Sequence, residues 1–110
     1  MPIVVKPTDV RTIEGDGWTQ VILADRENIG VPAMTAQRWV LAPNAQGPQL
    51  THNGADQLLY VIRGGGSAQV DEKTFLLDEE SVLWLEAGET YQFVAADQGL
   101  EILQGYAPGE

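Results

Sequence analysis

The sequence predicts an all-β chain, a barrel of two packed antiparallel sheets, from three observations. Short hydrophobic stretches recur at a spacing of roughly 8 to 12 residues. Gly, Pro, Asn and Asp fill the gaps between them. No long segment with a helical period interrupts the series, and ten such strands reach the ~10 that one open sheet carries before it curls or splits. Two packed sheets place the core between them.

The expected strands are Ile3 to Val5, Trp18 to Asp25, Met34 to Leu41, Gln49 to His52, Gln57 to Arg63, Ser67 to Val70, Thr74 to Leu77, Ser81 to Leu85, Thr90 to Ala95 and Leu100 to Tyr106. Thr8 to Arg11 is expected as a single helical turn capped by Thr8 or Asp9. Pro43, Asn44, Gly47 and Pro48 punctuate one long connection, Gly64 to Gly66 a tight turn, and Asp71 to Lys73 a hairpin. Gln57 to Arg63 is apolar at every position between its ends, which predicts burial on both faces. In so short a chain a second subunit is the natural second layer, so a homodimer is expected, with Ile3 to Val5 as a strand able to cross between protomers. The apolar run around Trp84 is expected in the core.

With 110 residues the chain is sized for a single domain, taken as 1–110. Sixteen acidic against six basic residues give a net charge of -10, which repels phosphate backbones and excludes nucleic acid as a partner. No apolar run reaches the ~18 residues of a membrane span, and the N-terminus lacks a signal-peptide pattern, so no membrane partner and a cytoplasmic location are expected. The absence of cysteine removes thiolate chemistry and soft metal sites. No Gly-x-Ser-x-Gly elbow, HExxH or P-loop is present. His52 is the single histidine, so any imidazole chemistry must run through it.

The stretch Leu50 to Gly64, LTHNGADQLLYVIRG, resembles the first motif of the cupins, G-x5-H-x-H-x(3 or 4)-E-x6-G. Gln57, six further residues and Gly64 reproduce its tail. With the four-residue spacer the two histidine positions fall on Leu50 and His52 and the glutamate position on Gln57. The three-residue spacer would give Thr51, Asn53 and Gln57 and keep no histidine. The second motif, G-x5-P-x-G-x2-H-x3-N, resembles Glu80 to Ala95 through its central glycine, Gly88, with Tyr91 at the histidine position. The resemblance implies a single-domain cupin double-stranded β-helix, a jelly roll, with motif 1 near 50–64 and motif 2 near 80–95.

The family gathers three imidazoles and a carboxylate around a divalent ion. Here a leucine donates nothing, an amide oxygen donates poorly, and a phenol must lose its proton near pH ~10 to compete. No cofactor is therefore expected. Weak binding of a divalent transition metal through His52, Gln57 and Tyr91 is the residual possibility. Gln57 also avoids the buried, uncompensated charge that the family's glutamate would carry without a metal.

Period-two alternation puts Leu50 and His52 on one face and Tyr91 with Phe93 on another. The expected ligand pocket is thus Leu50, His52, Gln57, Tyr91, Phe93 and Trp39, polar and aromatic, open to a small molecule. Three functions follow: a small-molecule-binding protein; an enzyme, either a weak-metal dioxygenase or isomerase or a metal-free acid/base catalyst using His52 and Tyr91; and a structural or interaction dimer.

Overall fold

The computed structural model describes residues 2–109. Met1 and Glu110, the two ends of the expected 1–110 domain, lie outside the described residues. Eight strands run in order: β1 (Arg11–Glu14), β2 (Trp18–Ala24), β3 (Thr35–Leu41), β4 (Leu50–Thr51), β5 (Asp56–Val70), β6 (Lys73–Leu77), β7 (Val82–Leu85) and β8 (Thr90–Ala107). One helical turn, α1 (Arg26–Ile29), lies between β2 and β3. All pairings are antiparallel, in the order β1-β2-β3-β8-β5-β6, with β4 on β8 and β7 on β5.

Two long strands make this hydrogen-bonded ladder a barrel. At ~3.3 Å per residue, β8 would extend ~60 Å if straight, yet the longest dimension of the molecule is 40 Å. β5 and β8 must therefore bend, and their first halves pair with other strands than their second halves do. The early part of β5 pairs with β7 and the late part with β6, while the late part of β8 pairs with β3 and the early part with β4. The interior closes between these halves. Trp39 of β3 meets Phe93 of early β8 edge to face, with ring centroids 6.3 Å apart. Leu59, Val61, Val70, Leu85, Leu100 and Ile102 fill the space around them.

The bend falls where the sequence suggested a turn. Gly64 to Gly66 does not end a strand; it lies within β5, where the register with β8 shifts on either side of it. Gly64 has φ +80°, and a Cβ there would sit 2.1 Å from the Gly99 carbonyl oxygen. The glycine run is thus a kink that lets two strand halves continue, and so the ten expected strands merge into fewer, longer ones.

Four further expectations are corrected. Among the described residues, Ile3 to Val5 forms no strand. The expected turn at Thr8 to Arg11 is a 3-10 turn at Pro7–Asp9, and Arg11 already opens β1. The Gln57 to Arg63 segment is buried on one face only: Gln57, Leu59 and Val61 point inward, whereas Leu58, Tyr60 and Ile62 are exposed. Trp84 follows the same alternation on β7 and is 60% exposed instead of buried in the core. An uninterrupted apolar run does not say which of its faces is covered.

The helix α1 was not foreseen, although its capping signals are present. Asp25 accepts from the Glu27 N–H, Asn28 accepts from the Asp25 N–H, and Gly30 ends the turn at φ +97°. Among the described residues, no helix is long and apolar enough to cross a membrane.

Gly64→Ala is expected to destabilise the protein by about 3 kcal/mol, combining a left-handed backbone with a clash against a carbonyl of the facing strand. Urea denaturation would measure the loss as a lowered midpoint with an unchanged slope.

Candidate functional site

Inward-facing positions of β3, β5 and β8 carry glutamines among the aromatics. Gln37 pairs in register with Gln104, Gln104 with Leu59, and Gln57 with Tyr106, so the side chains converge on one level of the barrel. Gln104 is fully buried and stands at the centre. Its Oε1 accepts from Gln37 Nε2 at 2.8 Å and from the Trp39 indole at 2.7 Å. Its Nε2 donates to the Tyr91 hydroxyl at 2.7 Å and to Gln57 Oε1. An indole N–H can only donate, so Trp39 fixes which end of the Gln104 amide is oxygen.

The cluster extends outward to a cavity. Gln20 Nε2 donates to Gln37 Oε1 at 2.6 Å, and His52 Nε2 lies 3.0 Å from the Tyr91 hydroxyl. Gln20, Gln37 and His52 line a cavity of about 190 Å³, together with Leu50, Ile22, Thr35 and Tyr106. The rings of His52 and Tyr106 are 4.5 Å apart at 32°, forming a tilted aromatic wall. Gly88, the glycine of the second motif, donates its N–H to the His52 carbonyl at 2.9 Å and so holds the histidine loop in place.

Arg11 and Asp25 close the side of the cavity. Arg11 reaches both carboxylate oxygens of Asp25, at 3.3 Å and 2.6 Å, and Glu27 at 2.5 Å. The Arg11 hydrogen bond holds the Asp25 carboxyl below its ordinary value, against the opposing effect of desolvation, and the Glu27 N–H adds to the lowering. The charge of Arg11 is thus already spent on two carboxylates.

The expected pocket residues therefore occupy different depths. Leu50 and His52 line the cavity, on and just beyond β4. Gln57 and Tyr91 lie fully buried in the layer behind it, tied to Gln104. Trp39 and Phe93 are deeper still, in the hydrophobic core, where only the Trp39 indole reaches the polar cluster. Arg11, Gln20, Asp25, Gln37, Gln104 and Tyr106 were missed. A signal existed for two of them: Gln37 stands two residues from Trp39, and Gln104 lies between Ile102 and Tyr106, so each shares an apolar face at period two.

No family model and no curated protein matches this sequence. Solved structures do match in shape. KdgF from Halomonas superposes with a TM-score of 0.80 at 15% identity, covering 100% of this chain and 96% of its own. An RmlC-like cupin from Shewanella frigidimarina gives 0.76 at 17% identity, covering 96% and 89%. Streptomyces PAC13, a Tyr-to-Phe variant solved with uridine, gives 0.79 at 12% identity, covering 98% and 83%. The fold is the cupin jelly roll, as the two motifs implied.

The residues at the family's metal positions do not fit a metal. Among the described residues, no group of three or more His, Asp or Glu side chains could hold an ion. Leu50 has no donor atom, Gln57 Oε1 is occupied by Gln104, and Tyr91 is bonded to both Gln104 and His52. Binding an ion here would require breaking the cluster.

Gln104→Leu leaves the Trp39 indole, the Gln37 amide and the Tyr91 hydroxyl without their common partner in a dry interior. A loss of about 3 kcal/mol is expected, against a smaller loss for Gln20→Leu at the cavity edge; chemical denaturation of both variants would compare them. The Arg11–Asp25 pair makes a separate prediction. Because the folded carboxyl has the lowered pKa, the pair's contribution is full above the unfolded value near ~3.9 and is lost as pH falls toward the folded one. Melting temperatures of wild type and Asp25→Asn should therefore differ at pH 7 and converge as the pH falls through the lowered value of the folded carboxyl.

Proposed function

We propose that this chain is a cytoplasmic small-molecule-binding protein whose barrel pocket works through polar and aromatic contacts without a tightly held metal. The observation that carries this reading is the cavity lined by His52, Gln20 and Gln37 in front of the Gln104 cluster. A ligand entering it meets hydrogen-bonding groups held in place by a second layer, the arrangement that fixes orientation in small-molecule sites. A carboxylate ligand would find Arg11 already neutralised by Asp25 and Glu27. A neutral ligand meets no such obstacle, and the likeness in fold to a protein solved with uridine is in keeping with it. Weak binding of a divalent transition metal through His52, Gln57 and Tyr91 would come only at the cost of their bonds to Gln104 and to one another.

A second reading rests on the His52–Tyr91 contact. An imidazole and a phenol joined at 3.0 Å can pass a proton between them, so the same cavity supports metal-free acid/base catalysis on a bound ligand. Loss of turnover in His52→Ala, with ligand affinity retained, would separate catalysis from binding.

We also propose that a second copy covers the outer face of the sheet. Trp84, Leu58 and Gly105 form one row across it, and Val82, Tyr60 and Leu103 the next. Together with Met34 they expose on the order of 500 Å² of apolar surface. This approaches the ~800 Å² per partner of a standard interface. Trp84 stands beside a shallow groove over Gly105, so a two-fold related copy could place its own tryptophan there.

Native mass spectrometry with elemental analysis, on protein purified without a metal column, tests these readings together. The expected result is a dimer carrying far less than one equivalent of transition metal, and a monomer for Trp84→Lys. A stoichiometric metal that survives dialysis would overturn the metal-free reading, and a wild-type monomer would overturn the dimer.

A further inference from the structure

The side-chain amides form a chain with a direction. Gln20 donates to Gln37, Gln37 to Gln104, and Gln104 to Gln57, each through Nε2 to the next Oε1. The direction is not arbitrary, because the Trp39 indole occupies Gln104 Oε1, so that turning the Gln37 amide would set acceptor against acceptor and turning that of Gln57 donor against donor. In such a head-to-tail series each bond polarises the next, so the terminal groups are strengthened. At the inner end is Gln57, whose buried Nε2 has no partner among the described residues. At the outer end is Gln20, whose Oε1 is an acceptor beside the cavity.

From this chain we propose that the cavity binds a small, neutral, planar molecule carrying a lactam or imide group, which donates its N–H to Gln20 Oε1. The inference deepens the small-molecule reading above and rests on it. Neutrality follows from Arg11, whose guanidinium is engaged by Asp25 and Glu27 and leaves no free positive charge for an anion. Planarity follows from His52 and Tyr106, whose rings stack on one another with centroids 4.5 Å apart and which both line the cavity, so a flat ring can pack on the side of the pair turned toward it. Size follows from the cavity volume of about 190 Å³. That is room for roughly six waters at ~30 Å³ each, the scale of one small ring. An alcohol could also donate to Gln20, but a lactam adds a carbonyl that can accept from the remaining amide hydrogens of Gln20 or Gln37 in the same plane. Glutamine reads the donor and acceptor edge of a planar base by the same pairing of groups.

The test is a titration followed by ¹H–¹⁵N spectra of the intact protein, watching the side-chain amides of Gln20 and Gln37 and the Trp39 indole. Succinimide and 2-pyridone serve as neutral planar probes, oxalate and pyruvate as carboxylates of similar size, and glycerol as a neutral polyol. The proposal expects saturable shifts of the Gln20 and Gln37 amides with the two lactam probes, at least ~10-fold tighter than with the others. Gln20→Met should weaken lactam binding roughly tenfold while leaving the Trp39 indole signal in place. Should that variant fold poorly, Ile22→Phe, which fills the cavity from its apolar wall, should abolish the shifts. Preferential binding of a carboxylate or of glycerol at the same amides would overturn the ligand class and leave the pocket reading standing. No saturable shift from any probe would overturn both.

Discussion

A side-chain amide carries two hydrogens and two acceptor lone pairs, and inside this barrel Gln104 has all four engaged. Its partners come from three strands: Gln37 and Trp39 from β3, Gln57 from β5, and Tyr91 from the far end of β8 itself. Because these side chains are buried, each of those groups would cost about 1–3 kcal/mol if left alone. One residue thereby couples the two halves of a bent strand to the strands beside it. The polar layer is rigid because any member that moves strands the others.

This layer is also the reason that the positions the cupin motifs would give to metal ligands do not fit an ion. A metal-binding cupin has buried carboxylate and imidazole groups that the ion neutralises and orients. Here Leu50 and Tyr91 replace two of the imidazoles and Gln57 replaces the carboxylate, so no net charge is buried at those positions. The orienting role falls to neutral hydrogen bonds, with the Trp39 indole setting the direction of the series. Among the described residues, the Asp, Glu, Lys and Arg side chains lining the cavity are Arg11 and Asp25, which sit at its side, and Arg11 is engaged by Asp25 and Glu27.

The outer face follows from the same alternation that builds the inner one. Gln57, Leu59 and Val61 fill the barrel, which obliges Leu58, Tyr60 and Ile62 to face away from it. Those outward residues are as apolar as the inward ones, and β7 adds Val82 and Trp84 to the same surface. A strand of this kind is stable in water only at the cost of exposed apolar area, which is the physical basis for expecting a second copy.

The sequence by itself determined the strand rhythm, the barrel class and the two motif glycines, because these depend on residue type and spacing along the chain. His52 and Leu50 at the cavity were legible for the same reason, being tied to a motif. Gln104, Gln20 and Gln37 were not, since a glutamine on an apolar strand face acquires meaning only when register brings it opposite another. Arg11 and Asp25 meet across fourteen residues because β1 and β2 pair, which no local pattern announces. Trp84 was misplaced because burial is a property of what lies across from a residue. Tertiary structure alone decided that Gly64 to Gly66 bends one strand where the sequence suggested an end, since the pairing of β8 with both halves of β5 is what distinguishes a kink from a turn.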